Sequence, residues 1–254
     1  MTGLVFVGDL HRQWHHVRRG LEAPRPRPAA VVLLGDMECH EPLDHLAAPL
    51  LDAGVAVHWI AGNHDYDGGP AMWANLADGA LNPRTAPGAL NGVVRMIGGL
   101  RVAGLSGTFR RRVWEPPEPP RLHARAELAA DMATLGTDWN EAQRSAMAQA
   151  LAAMAIWPED VAALRELRAD VLATHEAPSS HPQGFAALED LARAMGAGLL
   201  VHGHHHVGYR ARATDGLIVQ GVGAGWGLGF DGHAVWPGEP ERWLGGFAPG
   251  WTAA

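Results

Sequence analysis

The sequence predicts an α/β fold, and three features carry that reading. Short apolar-rich runs recur at Leu4–Val7, Val31–Leu34, Val55–Ile60, Asp170–Thr174 and Leu199–His202. Helix-length patterns fall between them. The runs end in Gly, Asp, Asn or His, as strands covered on both faces do when they emerge at a sheet edge. The chain has 254 residues, 47% hydrophobic and 19% charged, enough for a large core without covalent staples. One domain spanning 1–254 is expected, with a mostly helical insert at about 107–158.

Each element has its own justification. Leu4–Val7 is the first buried strand, and Arg12–Leu21 follows as a helix. The Pro24-Arg25-Pro26-Arg27-Pro28 connector cannot be helical and leads to strand Val31–Leu34. A helix over Pro42–Leu51 precedes strand Val55–Ile60. Val93 to Leu105 reads as a hairpin turning at Gly98-Gly99. An Arg- and Pro-rich loop, Gly107 to Pro120, opens the insert. Helices follow at Leu122–Thr134 and Asp138–Met154, broken at Gly136-Thr137. Pro158 suits the first turn of a helix over Glu159–Arg168. Strand Asp170–Thr174, helix Gln183–Met195 and strand Leu199–His202 resume the alternation. Strands near Tyr209–Ala213 and Leu217–Gln220 lead to a Gly- and Trp-rich tail. Its Trp226, Trp236, Trp243 and Trp251 are expected to pack in a core or between subunits.

Composition excludes several chemistries. Cys39 is the single cysteine, so an intramolecular disulfide and a Cys-based zinc finger are impossible. All 20 basic residues are arginines, which removes Walker-type and Schiff-base lysines. A net charge of −7 argues against an extended nucleic-acid partner. No apolar stretch has membrane-spanning length, and the first run meets Asp9 too early for a secretory segment. A cytoplasmic location is the expectation.

Fifteen histidines are the unusual count, and their placement is informative. The first three strands run into Gly8-Asp9-Leu10-His11, Gly35-Asp36 and Gly62-Asn63-His64-Asp65. The two later ones run into His175 and Gly203-His204-His205-His206. Ligands of open α/β sheets bind beyond the carboxyl ends of the strands. The donor set, oxygen and imidazole without sulfur, suits manganese, iron, zinc, cobalt or nickel. The competing reading, strand-end residues capping helices, accounts for single Asp or Asn residues but not for five such motifs.

In this order the motifs Asp9-x-His11, Gly35-Asp36, Gly62-Asn63-His64-Asp65, His175 and Gly203-His204-His205-His206 resemble the calcineurin-like metallophosphoesterase superfamily. The resemblance implies two packed mixed β-sheets flanked by helices, a four-layer α/β/β/α sandwich. It also implies two divalent metal ions, manganese first. Asp9, His11, Asp36 and His206 would hold one, and Asp36, Asn63, His175 and His204 the other, with Asp36 bridging. His64 would be the general acid or phosphate contact, oriented by Asp65.

Two divalent cations, the Asp9 and Asp36 carboxylates and a bridging hydroxide sum to about +1, a cationic pocket fit for phosphate. Gly35-Asp36-Met37-Glu38-Cys39-His40 lacks the Arg of the GDxxDRG pattern of protein phosphatases, which disfavours a phosphoprotein substrate. The expected activity is hydrolysis of a phosphate ester on a small substrate by that hydroxide, a phosphodiester ahead of a monoester. The alternatives are a phosphomonoesterase on a small phosphometabolite or nucleotide, and a non-catalytic scaffold of the same fold. Arg110, Arg111 and Arg112 in the insert are candidate substrate contacts, because guanidinium forks match phosphate oxygens.

Overall fold

A computed structural model describes residues 3–22, 26–240 and 247–254. Pro24 and Arg25 of the predicted connector, and Trp243 of the tail, lie outside the described residues. The elements run β1 (Leu4–Val7), α1 (His15–Glu22), β2 (Ala30–Leu33), α2 (Leu43–Leu46), α3 (Ala48–Asp52), β3 (Ala56–Trp59), α4 (Pro70–Ala77), β4 (Val94–Ile97) and β5 (Leu100–Leu105). The second half continues with α5 (Leu128–Ala133), α6 (Glu141–Met154), α7 (Pro158–Arg165), β6 (Val171–Thr174), α8 (Ala186–Met195), β7 (Leu199–His202), β8 (Tyr209–Ala213), β9 (Ile218–Gly221), β10 (Gly227–Gly229), β11 (Ala234–Trp236) and β12 (Trp251–Ala253).

Two mixed sheets form, a five-stranded one ordered β11-β10-β1-β2-β3 and a seven-stranded one ordered β12-β8-β9-β7-β6-β5-β4. In the first, β1, β2 and β3 are parallel; in the second, β5, β6, β7 and β9 are parallel. The alternation of side chains explains the layering. Leu4 and Phe6 of β1 join Val32, Val171, Ala173, Leu199 and Val201 in a core between the sheets. Val5 and Val7 point the other way, onto Leu43, Leu46 and Leu50 of α2 and α3. Leu172 and Leu200 likewise meet Leu164, Leu188 and Leu191 of α7 and α8. Both faces of the central strands are therefore buried. With about 1.5–3 kcal/mol for each fully buried large apolar side chain, that burial selects the uninterrupted apolar runs. The four-layer α/β/β/α architecture expected from the resemblance is the one observed.

Three features depart from the expected elements. The predicted helix over Pro42–Leu51 divides at Ala47 into α2 and α3. Helix α4, with Pro70 in its first turn after Gly69, is an additional element. The tail, to which the sequence assigns no element, supplies β10, β11 and β12. Gly227 in β10 leaves room for Trp236, whose ring would lie 2.3 Å from a Cβ there. Trp236 is buried, and Trp226 and Trp251 are partly buried. The stretch between β5 and β6 has its own small core of Val113, Leu122, Leu128, Met132, Leu151 and Trp157. Asn140 and Gln143 close a capping box at the start of α6. Among the described residues no helix is long and apolar enough to cross a membrane.

Candidate metal centre

The parallel strands deliver the polar motifs to one edge of the molecule. Asp9 and His11 follow β1, Asp36 follows β2, and Asn63 and His64 follow β3. From the other sheet come His175 after β6 and His204 and His206 after β7. Asp9, His11 and His206 form one compact group, and Asp36, His175 and His204 a second. The Asn63 Oδ1 atom lies 3.1 Å from His175 Nε2 and belongs with the second group. His11 Nε2 and His206 Nε2 are 2.9 Å apart, so two imidazoles from different sheets converge on one point.

The backbone around these residues is under local strain. Among the described residues, the non-glycine positions with positive φ are His11, Arg12, Asp36, Glu38, His204 and His206, all in the site loops. Each costs on the order of 1–3 kcal/mol and persists only where neighbours hold it. Asp65 supplies much of that restraint. Its buried carboxylate accepts the backbone N–H groups of Asp36 at 2.9 Å, Glu38 at 2.8 Å and Gly62 at 2.8 Å. The role expected for Asp65, orienting His64, falls instead to Asp67, which accepts from His64 Nδ1 at 2.6 Å. Asp65 is drawn inward because three N–H donors, two of them at the strained Asp36 and Glu38, converge there. Gly62 is obligatory by space, since a Cβ would lie 2.2 Å from Asp36 Oδ1. Gly35 is required both by space and by its φ of 96°.

The carboxylate oxygens test whether these residues fit cations. Asp36 Oδ1 accepts the His64 backbone N–H at 2.7 Å, and Asp9 Oδ1 that of His204 at 2.9 Å. Their Oδ2 atoms are buried with no hydrogen-bond partner. Asp36 Oδ2 lies 3.3 Å from His175 Nε2 and 4.0 Å from His11 Nε2, between the two histidine groups. An orphaned buried polar atom costs about 1–3 kcal/mol, and more when charged. His175 donates Nδ1–H to the Leu34 carbonyl at 2.7 Å, which turns Nε2 towards Asn63 and Asp36.

Protonation tells the same story. Burial works against the His175 cation, but Asp36 and Asp9 outweigh it and push the imidazole up to about 10. Burial, opposed by His175 and reinforced by Asp36, pushes Asp9 up to about 7. At Asp36 burial is overcome by His175, and the carboxyl is held below its ordinary range. A cluster that raises a buried acid and retains a proton on imidazole is short of positive charge, and divalent cations would supply it. The residues fit the metal pair.

Two positioning residues escape a reading of the sequence. Glu38 accepts His11 Nδ1–H at 2.6 Å and also pairs with Arg12 at 3.1 Å. A carboxylate behind a metal-ligating histidine fixes its tautomer and raises its basicity. Glu38→Gln is therefore expected to weaken metal binding about 10–100-fold, read by titration of metal-stripped protein. An unchanged affinity would show that Glu38 serves Arg12 alone. Asp67 carries a local signal, the three-residue spacing from His64, whereas Glu38 reaches His11 across 27 positions.

The three candidate arginines separate. Arg112 is tied to Asp131 at 2.6 Å and holds the insert together. Arg111 is exposed and sits 3.8 Å from Glu115. Arg112 is thus committed to a carboxylate, whereas the Arg111 side chain extends into solvent. Arg110 differs: its charge is felt by both Glu176 and His204, and among the described residues it forms no ion pair.

Two facing mixed sheets with Asp, Asn and His donors gathered at their strand tips define the class of metal-dependent phosphoesterases. Residues 3–208 match the family model for calcineurin-like phosphoesterases, and the chain belongs to that family. It is 30% identical over 226 residues to an uncharacterized protein of Haemophilus influenzae, covering 87% of this chain and 90% of that protein. Among solved structures it resembles TT1561 of Thermus thermophilus, with a TM-score of 0.55, 13% identity and coverage of 92% and 97% of the two chains. It also resembles the phosphopantetheinyl hydrolase PptH of Mycobacterium tuberculosis, with a TM-score of 0.48, 19% identity and coverage of 87% and 89%. The protein is accordingly a hydrolase of phosphate esters.

Proposed function

We propose that this phosphoesterase hydrolyses a small phosphodiester with a pair of divalent cations, manganese first. Asp9, His11, Asp36 and His206 would hold one cation, and Asp36, Asn63, His175 and His204 the other. The observation that carries this reading is Asp36 Oδ2, buried without a hydrogen bond between His175 of one sheet and His11 of the other, with Asp9 Oδ2 likewise buried and unbonded. When bound, such cations stabilise charge on phosphoryl oxygens and acidify coordinated water.

The chain's own groups supply positioning and proton control. Asp36 joins the two groups, and Asp65 holds the loops that carry them. His64 is half-exposed, with Nδ1–H given to Asp67, so Nε2 is the nitrogen that faces substrate. Burial disfavours its charge, but Asp67, Asp36 and Glu38 together raise its pKa above the ordinary histidine value. A proton on Nε2 can then meet a phosphoryl oxygen or pass to the leaving oxygen. Arg110 is the substrate contact among the insert arginines, and the insert, as part of a single domain, shapes specificity.

The diester preference rests on the missing arginine of the GDxxDRG pattern, at whose position this chain carries His40. The test compares an aryl phosphodiester with its matching monoester, using metal-stripped protein reconstituted with manganese. Metal-dependent turnover favouring the diester is expected. A monoester preference would transfer the reading to a phosphomonoesterase, and no metal dependence would end it.

A further inference from the structure

We propose that Glu176, His204 and His205 hold a third divalent transition-metal cation beside the proposed pair, an inference that rests on the pair's placement. Glu176 directly follows His175, and its buried carboxylate faces the loop after β7. Glu176 Oε1 lies 3.9 Å from His204 Nε2 and 3.8 Å from His205 Nε2. Those separations are too long for hydrogen bonds. They are close to the edge of a coordination polyhedron, because two donors about 2.1 Å from one ion at a tetrahedral angle stand about 3.4 Å apart. A shift of a few tenths of an ångström would close the group on a cation.

Three further observations point to a ligand. His205 Nε2 is buried without a hydrogen-bond partner and faces the carboxylate. His181 stacks flat on the His205 ring, with centroids 3.9 Å apart and planes 9° from parallel, and so fixes its orientation. Each Glu176 oxygen accepts only one backbone N–H, from Phe109 at 3.3 Å and Ala177 at 3.0 Å, which leaves Oε1 a lone pair to give. Two imidazoles and a carboxylate suit zinc, cobalt or manganese. Arg110, whose charge both Glu176 and His204 feel, opposes a cation here, so this site fills after the pair. The site shares His204 with the second group of the proposed pair.

The probe is zinc alone, added to metal-stripped protein by equilibrium dialysis and counted by mass spectrometry. Wild type is expected to hold three equivalents and His205→Asn two, while Asp36→Asn retains the outer equivalent. Anomalous diffraction at the zinc edge locates the ions without any variant, and a peak within bonding distance of Glu176 Oε1 and His205 Nε2 is expected. Two peaks flanking Asp36 and none at Glu176 would overturn the proposal and leave the pair intact. Absence of peaks flanking Asp36 would instead overturn the pair.

Discussion

Asp36→Asn is expected to lower turnover by about 10³-fold or more and to strip the cation pair from the protein. The substitution keeps an oxygen for the His64 backbone N–H, now 2.7 Å from Asp36 Oδ1, so the loop can stay folded. It removes the charge at Oδ2, the atom between His175 at 3.3 Å and His11 at 4.0 Å. A bridging carboxylate contributes several kcal/mol to holding two cations at one substrate, and each 1.36 kcal/mol is about tenfold in rate. Bound metal and kcat of the reconstituted variant, measured on the same preparation, decide the matter. Full activity with two metals retained would sink the assignment of Asp36 as the bridge.

His64→Ala should behave in the opposite way towards metal. Turnover falls about 10²–10⁴-fold, the usual contribution of a positioned acid, while both cations stay bound. The imidazole is outside the two donor groups, and its hydrogen bond runs to Asp67. The sign of the pH dependence follows from its raised pKa. The imidazolium is present below that value and is lost as pH rises through it, so kcat falls on an alkaline limb above the ordinary histidine value. Asp67→Asn removes a group that raises the pKa and should move that limb to lower pH. Metal loss in the alanine variant would place His64 among the ligands instead.

Most of the fold was readable because it depends on local pattern. Apolar runs and their polar tips identified the central strands within a residue or two, and the motif order pointed to the two-sheet sandwich. Helix α4 was not anticipated, although Gly69-Pro70 is a local start signal. The tail strands were hidden for a different reason. Gly227–Gly229 has little strand propensity, and it pairs with β1 while Trp236 fills the space beside Gly227.

At the site, the sequence by itself determined the polar set: Asp9, His11, Asp36, Asn63, His64, His175, His204 and His206 all stand at one strand edge. Residue type and spacing along the chain suffice for that, since parallel strands carry their carboxyl ends to the same side. Only the tertiary structure decided which group serves which. Asp65 turned inward to three N–H donors while Asp67 took His64, and Arg112 was consumed by Asp131. Glu38 reached His11 across 27 positions, and the His204 N–H reached Asp9 across 195. Hydrogen-bond partners at such separations are chosen by how loops stack after the sheets have packed, a choice that short-range pattern does not encode.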